Sequence, residues 1–227
     1  VTPEMLKIWD INMRRVIEPG VFELMVGPSS DQTSTVKLTV AGLHGETGKP
    51  VATAPIPPNS ESGIVSTFDD GKVAANFGSW IPATDQMNGG KSTSSLAIVE
   101  PGAAGTRGAL EIKGEVAAGG PNSFAGAMYA PGSAPLQAVN LSSKKEIRFW
   151  ARGDAGTYTL MVLTESRMAE LGAAPAMTTF VAVPEWKQYV FPFSVFETDG
   201  GDLSGIVFIR DAAPGKFQFQ IDQVEIK

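Results

Sequence analysis

The sequence predicts an all-β fold, and three observations predict it. With 25 Gly, 16 Pro and only 19% charged residues in 227, the chain has the composition of many short strands joined by tight turns. Several segments alternate apolar and polar residues with a period of two, the signature of half-buried strands. No apolar pattern of period 3.6 persists long enough to make an amphipathic helix. The chain is also long enough to bury a core without staples, and it has no cysteine to make them.

Taken in order, residues 1–41 read as a short β-strand segment. Glu18-Pro19-Gly20 is a turn, because Pro presets φ and Gly supplies the permissive position. Phe22, Leu24 and Val26 alternate with Glu23 and Met25 in one strand, and residues 36–40 form a second. Two or three strands fall short of the about seven that close a sandwich, so this stretch is predicted to be the tail of a larger domain. Residues 42–63, with Gly42, Gly45, Gly48 and Pro50 leading into Pro55-Ile56-Pro57-Pro58, have the composition of a linker.

Residues 64–227 are predicted to form the main β-sandwich. Residues 109–116 alternate cleanly. In 146–152, Ile147, Phe149 and Ala151 fall on one face, and Arg148, Trp150 and Arg152 on the other. Residues 158–163, 178–183, 187–193 and 205–209 supply further strands. The last strand turns Phe217, Phe219 and Ile221 inward and leaves Gln218 and Gln220 on the wet face. Its apolar pattern resumes at Val224, a slip of one residue that predicts a bulge near Asp222. Eight or so strands without an internal repeat fit a jelly roll better than a propeller.

A net charge of −6 and a pI near 4.9 exclude nucleic acid as the expected partner and disfavour an anionic membrane. Nothing in the sequence is long and apolar enough to span a bilayer as a helix. His44 is the single histidine and sits in the Gly-rich linker, a poor place for a positioned base. The carboxylates that would serve glycosidic chemistry, Asp69, Asp70, Asp154, Glu165 and Asp222, are scattered. Catalysis by this chain is not expected.

Three segments carry a resemblance. They are Asp85-Gln-Met-Asn-Gly-Gly-Lys-Ser92, Arg152-Gly-Asp-Ala-Gly-Thr-Tyr158 and Glu185-Trp-Lys-Gln-Tyr-Val-Phe-Pro-Phe193. In this order and spacing, residues 68–227 resemble the β-sandwich module of the complex I intermediate-associated protein family, a galactose-binding-like jelly roll. The first of them also has a plain structural explanation, since Gly89-Gly90 permits a tight backbone path and Asp85 can bond within its own turn. Trp9-Asp10, the run from Arg15 to Gly27 and Ser29-Ser30-Asp31 resemble the end of the fibronectin type III-like domain of family 3 glycoside hydrolases. Together the two resemblances imply the C-terminal part of a bacterial exo-β-glucanase or β-glucosidase. Its catalytic carboxylates would lie upstream, and the protein would be secreted, periplasmic or on the outer cell surface.

The resemblance implies a non-catalytic accessory module for a β-glucan or related oligosaccharide, working beside the catalytic domains of its parent enzyme. The alternative is a structural or dimerisation module of the same enzyme. Sugars stack on exposed aromatic rings and bond to polar side chains, which makes Trp150, Arg148, Arg152, Tyr158, Gln218 and Gln220 the candidate ligand contacts. Trp80 and Trp186 read as structural. Sugar-binding jelly rolls often hold a structural Ca²⁺, for which Asp69 or Asp70 together with Asp222 are the candidate ligands, with carbonyls near Ser92–Ser94 completing the shell. The other reading makes Asp69-Asp70-Gly71 a solvated turn.

Overall fold

The computed structural model describes residues 8–9, 15–16, 20–29, 32–40, 54–119, 122–169, 174–211 and 213–227. The chain divides into two compact units, Val1–Ala52 and Thr53–Lys227. In the first unit, β1 (Ile8–Trp9) pairs antiparallel with β2 (Arg15–Val16), and β3 (Gly20–Ser29) pairs antiparallel with β4 (Gln32–Val40). His44 and the glycines of the expected linker lie outside the described residues.

The second unit begins ahead of the expected boundary at residue 64. Pro55 O accepts the amide of Asn140 at 3.0 Å and Gly63 O accepts that of Ile226 at 2.7 Å, so the Pro-rich stretch is tied into the sandwich.

That unit comprises β5 (Ile64–Ser66), β6 (Ser79–Thr84), β7 (Thr93–Val99), β8 (Ala109–Val116), β9 (Ala125–Ala130), β10 (Glu146–Gly153), β11 (Thr157–Thr164), β12 (Ala176–Val181), β13 (Lys187–Pro192), β14 (Leu203–Arg210) and β15 (Gly215–Ile226). One short helix, α1 (Glu165–Ala169), interrupts them. The strands make two antiparallel sheets. One runs β13-β10-β15-β8-β7, with β5 pairing the far end of β15; the other runs β12-β11-β14-β9-β6. The fold is a two-sheet β-sandwich, as the alternation predicts.

The core fills the space between the sheets with aromatic rings. Phe149 of β10 lies 5.2 Å from Phe180, 5.1 Å from Phe208 and 5.5 Å from Tyr189, ring centre to ring centre. Trp80 packs on Phe68, Tyr129 and Phe208 and donates its indole N–H to Ser66 Oγ at 2.9 Å. The bulge expected near Asp222 is present. Arg148 and Trp150, two apart on β10, face Glu225 and Asp222, three apart on β15, and Gln223 takes a φ of 45° to absorb the extra residue.

The Asp85–Ser92 segment is built around a buried carboxylate. Residues Asp85–Asn88 form a 3₁₀ turn closed by Gly89 at φ 81°, a left-handed position that glycine takes without strain. The chain then returns so that Ser92 donates both its amide (3.0 Å) and its hydroxyl (2.7 Å) to Asp85, while Ser92 Oγ accepts the Ala117 amide. A Cβ at Gly90 would collide with the Asp85 carboxylate, which accounts for the second glycine. Burial pushes the Asp85 carboxyl up, but bonds from the Ser92 hydroxyl and amide, with Phe124 and Ser123 adding, outweigh it and hold the pKa below the ordinary value of 3.8.

Two consequences are measurable by urea unfolding. Phe149→Ala removes the ring around which four others pack and should cost about 3–5 kcal/mol. Asp85→Asn should cost about 2 kcal/mol at neutral pH. Because the folded pKa is depressed, that stabilisation is complete above 3.8 and lost as pH falls through the folded value. The gap between wild type and Asp85→Asn should therefore close in acid, and a gap constant from pH 7 to 2 would show that the charge contributes nothing.

Candidate functional site

The outer face of the β13-β10-β15-β8-β7 sheet is where alternation sends the polar side chains. Register sets them in rows across the strands. Arg152 lies opposite Gln220, and Gln220 opposite Glu111; one step along β15, Gln218 lies opposite Lys113, and Lys113 opposite Ser95. The rows are tied together: Arg152 Nε donates to Gln220 Oε1 at 2.7 Å, Gln218 Nε2 to Glu111 Oε2 at 2.6 Å, and Lys113 Nζ lies 3.1 Å from Glu111 Oε1. The Arg152 guanidinium sits over the Trp186 ring, 4.6 Å from its centre. The indole N–H of Trp186 is buried with no partner among the described residues.

Two adjoining hollows open on this face. One, about 360 Å³, is lined by Arg152, Gly153, Asp154, Pro184, Gln218, Phe219 and Gln220. The other, about 460 Å³, is lined by Thr93, Lys113, Glu115, Asp154, Lys216 and Gln218 among others. Asp154 and Gln218 belong to both, so the hollows form one groove running across the strands.

Of the six expected ligand contacts, the structure brings three together there: Arg152, Gln218 and Gln220. Tyr158 is a correction. It faces the core from β11, has no exposed surface and packs 4.1 Å from the Phe219 ring. Its hydroxyl donates to Asp154 Oδ1 at 2.8 Å, so it positions a groove residue from beneath and meets no ligand. Trp150 is on the outer face as expected but is partly buried in the row of Gln188 and Asp222, and it does not line the groove. Arg148 is ion-paired with Glu146 and lies outside it too. Sequence reasoning missed Asp154, Lys113, Glu115 and Lys216 as groove residues, while Trp186, read as structural, supports the Arg152 guanidinium. The signal in reach was the alternation of 109–116, whose polar positions include Glu111, Lys113 and Glu115.

Loop 100–108 covers the sheet at the other end, around Asp222. The loop crosses close: a Cβ at Gly102 would collide with Thr106 Oγ1, Gly108 O and the Asp222 carboxylate. Asp222 has no exposed surface. Its Oδ2 accepts from the Ala103 amide (2.7 Å) and the Thr106 hydroxyl (2.5 Å), and its Oδ1 from the Gln223 amide (2.6 Å). Asp69 Oδ1 accepts the amides of Arg107 and Gly108. Burial pushes the Asp222 carboxyl up; bonds from Thr106, Ala103 and Gln223 pull it back, and the nearby Asp69 charge raises it again.

The expected calcium ligands are therefore only partly assembled. Asp69 and Asp222 converge, but Asp70 caps the Lys72 amide within its own turn, and Ser92 and Ser94 lie near Asp85 and the opposite end of β8. Calcium takes six to eight oxygen ligands. Here the carboxylate oxygens point at N–H and O–H donors, and no cluster of three or more acidic or imidazole groups stands together among the described residues. The donor set fits an internal tie that holds the loop, not a calcium cage.

A family model, Complex I intermediate-associated protein 30 (CIA30), matches residues 67–200. No curated protein sequence matches the chain significantly. Among solved structures, an exo-β-agarase matches with a TM-score of 0.50 at 12% identity, over 73% of this chain and 25% of its own length. A family 11 carbohydrate-binding module of a cellulosomal cellulase from Clostridium thermocellum gives a TM-score of 0.49 at 14% identity, over 77% of this chain and 95% of the module. The same organism's family 11 module in complex with a β-1,3-1,4-mixed-linked tetrasaccharide gives 0.48 at 16%, over 65% and 87%. At 12% identity the likeness to the agarase is one of fold alone.

The loop tie is open to test. Asp222→Ala should release the Ala103 amide to exchange faster and cost about 3 kcal/mol, since it strands buried donors. Chelator and added calcium should both leave the wild-type melting temperature unchanged, whereas a rise with calcium would show that the loop rearranges to offer oxygens.

Proposed function

The chain belongs to the complex I intermediate-associated protein 30 family, and on that premise we propose that it is a non-catalytic, carbohydrate-binding-like module that holds a section of glycan in the groove of its larger sheet. The observation that carries this reading is the continuity of the groove through Gln218 and Asp154, with the neutral amides of Gln218 and Gln220 along it. Primary amides both donate and accept, as sugar hydroxyls do. Neighbouring strands are about 4.8 Å apart, so the three intervals from β7 to β10 span about 14 Å, room for a short run of pyranose units. Of the carboxylates at or beside it, Asp154 and Glu111 are committed to internal partners, which leaves Glu115 alone and the groove without the pair of free carboxylates that glycosidic chemistry uses.

Taken alone, the family resemblance points to a β-glucan, with the module accessory to a secreted or surface-bound family 3 glycosidase. The support for that part is the resemblance of residues 1–41 to the end of a fibronectin-like domain and of the main unit to the module that follows it. A second reading, a structural or dimerisation module, is favoured by one feature. On the other sheet, a second apolar cluster of the buried Met128, Val207 and Ile209 is flanked by the partly buried Ile81, Phe124 and Met161, with Met177 exposed beside the same hollow as Met161.

Affinity electrophoresis and titration calorimetry against laminarin, mixed-linkage glucan and cellulose separate the two readings. Binding should be weak, with a Kd of about 0.1–1 mM, because a shallow groove without an exposed aromatic platform has few strong contacts. Replacing Gln218 and Gln220 by Ala should weaken it at least about fivefold, the worth of one or two hydrogen bonds. Unretarded migration in every glycan would transfer the case to the structural reading.

A further inference from the structure

Within the carbohydrate-binding reading, on which this inference rests, charge distinguishes one end of the groove from the rest. Two of the carboxylates there are bonded to partners, while Glu115 and Lys216 form no ion pair with each other. Glu111 takes Lys113 at 3.1 Å and the Gln218 amide. Glu115 stands directly across the ladder from Lys216. Asp154 accepts the Tyr158 hydroxyl and the Gly156 amide, with Arg210 3.9 Å away. Arg152 is different. Among the described residues its guanidinium meets no carboxylate within ion-pair distance; its partners are the neutral Gln220 Oε1, the Pro101 carbonyl at 3.4 Å and the face of Trp186.

Those three contacts fix the plane of the guanidinium while leaving its charge uncompensated. An arginine held flat on an aromatic ring and steered through Nε loses little freedom when its remaining N–H groups engage a ligand. The fork of donors matches a carboxylate in two-point geometry, which a lysine cannot reproduce. The position is conspicuous in a chain whose net charge is −6, where a stray cation would find an acidic neighbour easily.

We propose that the Arg152 end of the groove recognises the carboxylate of an acidic sugar, so that the preferred glycan carries uronate residues. The neutral amides of Gln218 and Gln220 take the hydroxyls of the same chain. Asp154 is already engaged by the buried Tyr158 hydroxyl, the Gly156 amide and Arg210, so its charge is committed away from Arg152, the cation whose guanidinium plane is held in place.

The experiment is a binding panel on the full chain at physiological salt, with polygalacturonate and alginate as uronate probes, laminarin and mixed-linkage glucan as neutral probes, a sulfated galactan, and polyglutamate as a charge control. The expected result is binding to a polyuronate at least about tenfold tighter than to either neutral glucan, and none to polyglutamate. Arg152→Gln should lose that advantage while keeping residual neutral-glucan binding. Arg152→Lys should recover only part of it, because the charge returns without the fork. Should Arg152→Gln unfold, the wild-type protein still decides the matter: adding polygalacturonate should shift the side-chain amide resonances of Gln218 and Gln220, and unmoved resonances would overturn the proposal.

Binding to neutral glucans alone would overturn the acidic-sugar inference and leave the carbohydrate-binding reading in place. Binding to no glycan would overturn both. Equal binding of polyglutamate, or preference for the sulfated galactan, would overturn the assignment of a uronate by showing that charge or sulfate suffices.

Discussion

The period-two alternation of β15 is the constraint on which the rest of the second unit depends. This strand lies inside its sheet, bonded to β10 on one side and to β8 and then β5 on the other. Its inward residues Phe217, Phe219 and Ile221 are buried in the aromatic core, while Gln218 and Gln220, between them, reach the groove. Core and groove are thus two faces of one strand, and a register slip of one residue would exchange them. The bulge at Asp222–Val224 is where the strand breaks its own rule. It buries Asp222 on the side that loop 100–108 covers and returns Val224 to the core.

Much of the sandwich was legible because alternation reports face directly. Ile147, Phe149 and Ala151 are buried and Arg148, Trp150 and Arg152 lie opposite, as the sequence of β10 predicts. The bulge was legible for the same reason. The failures have a common cause: sequence gives the face of a strand and not what lies over it or beside it. Trp150 is on the polar face but partly buried in the row that includes the buried Asp222. Tyr158 lies in a run, Tyr-Thr-Leu-Met-Val-Leu, too apolar on both sides to reveal which face meets the core. Lys113 and Lys216 have a face that alternation gives, but their meeting with Arg152 and Gln220 in one groove depends on the pairing of strands distant in sequence, which no local pattern encodes.

The two carboxylates that organise loops, Asp85 and Asp222, solve one problem in opposite electrostatic ways. Both are buried, and both accept hydrogen bonds from backbone amides and from a hydroxyl, of Ser92 in one case and Thr106 in the other. Around Asp85 these donors outweigh burial and the charge is held; around Asp222 burial and the facing Asp69 prevail and the pKa rises. Both sites need a glycine, Gly90 or Gly102, because the chain must pass within a side chain's width of the carboxylate. The resemblance to a calcium-bearing jelly roll, applied to Asp69 and Asp222, anticipated their convergence on one loop, where both accept hydrogen bonds from its backbone amides.

The same economy joins the core to the groove. Tyr158 rises from the smaller sheet through the aromatic core and ends with its hydroxyl on Asp154, at the junction of the two hollows. Burial, and then the Asp154 carboxylate, push the phenol well above its ordinary range, so it remains a donor throughout the physiological range. Asp154 is therefore held by a group that is itself locked by packing against Phe180 and Phe219. Arg152, two residues earlier, is steered by Gln220 and Trp186 on the same rigid floor. A shallow polar site loses affinity chiefly through the ordering of its own side chains. A groove whose contacts are fixed by core packing and cross-strand bonds has met that cost during folding, and this lets a few hydrogen bonds hold a flexible, hydrated ligand without a large apolar platform.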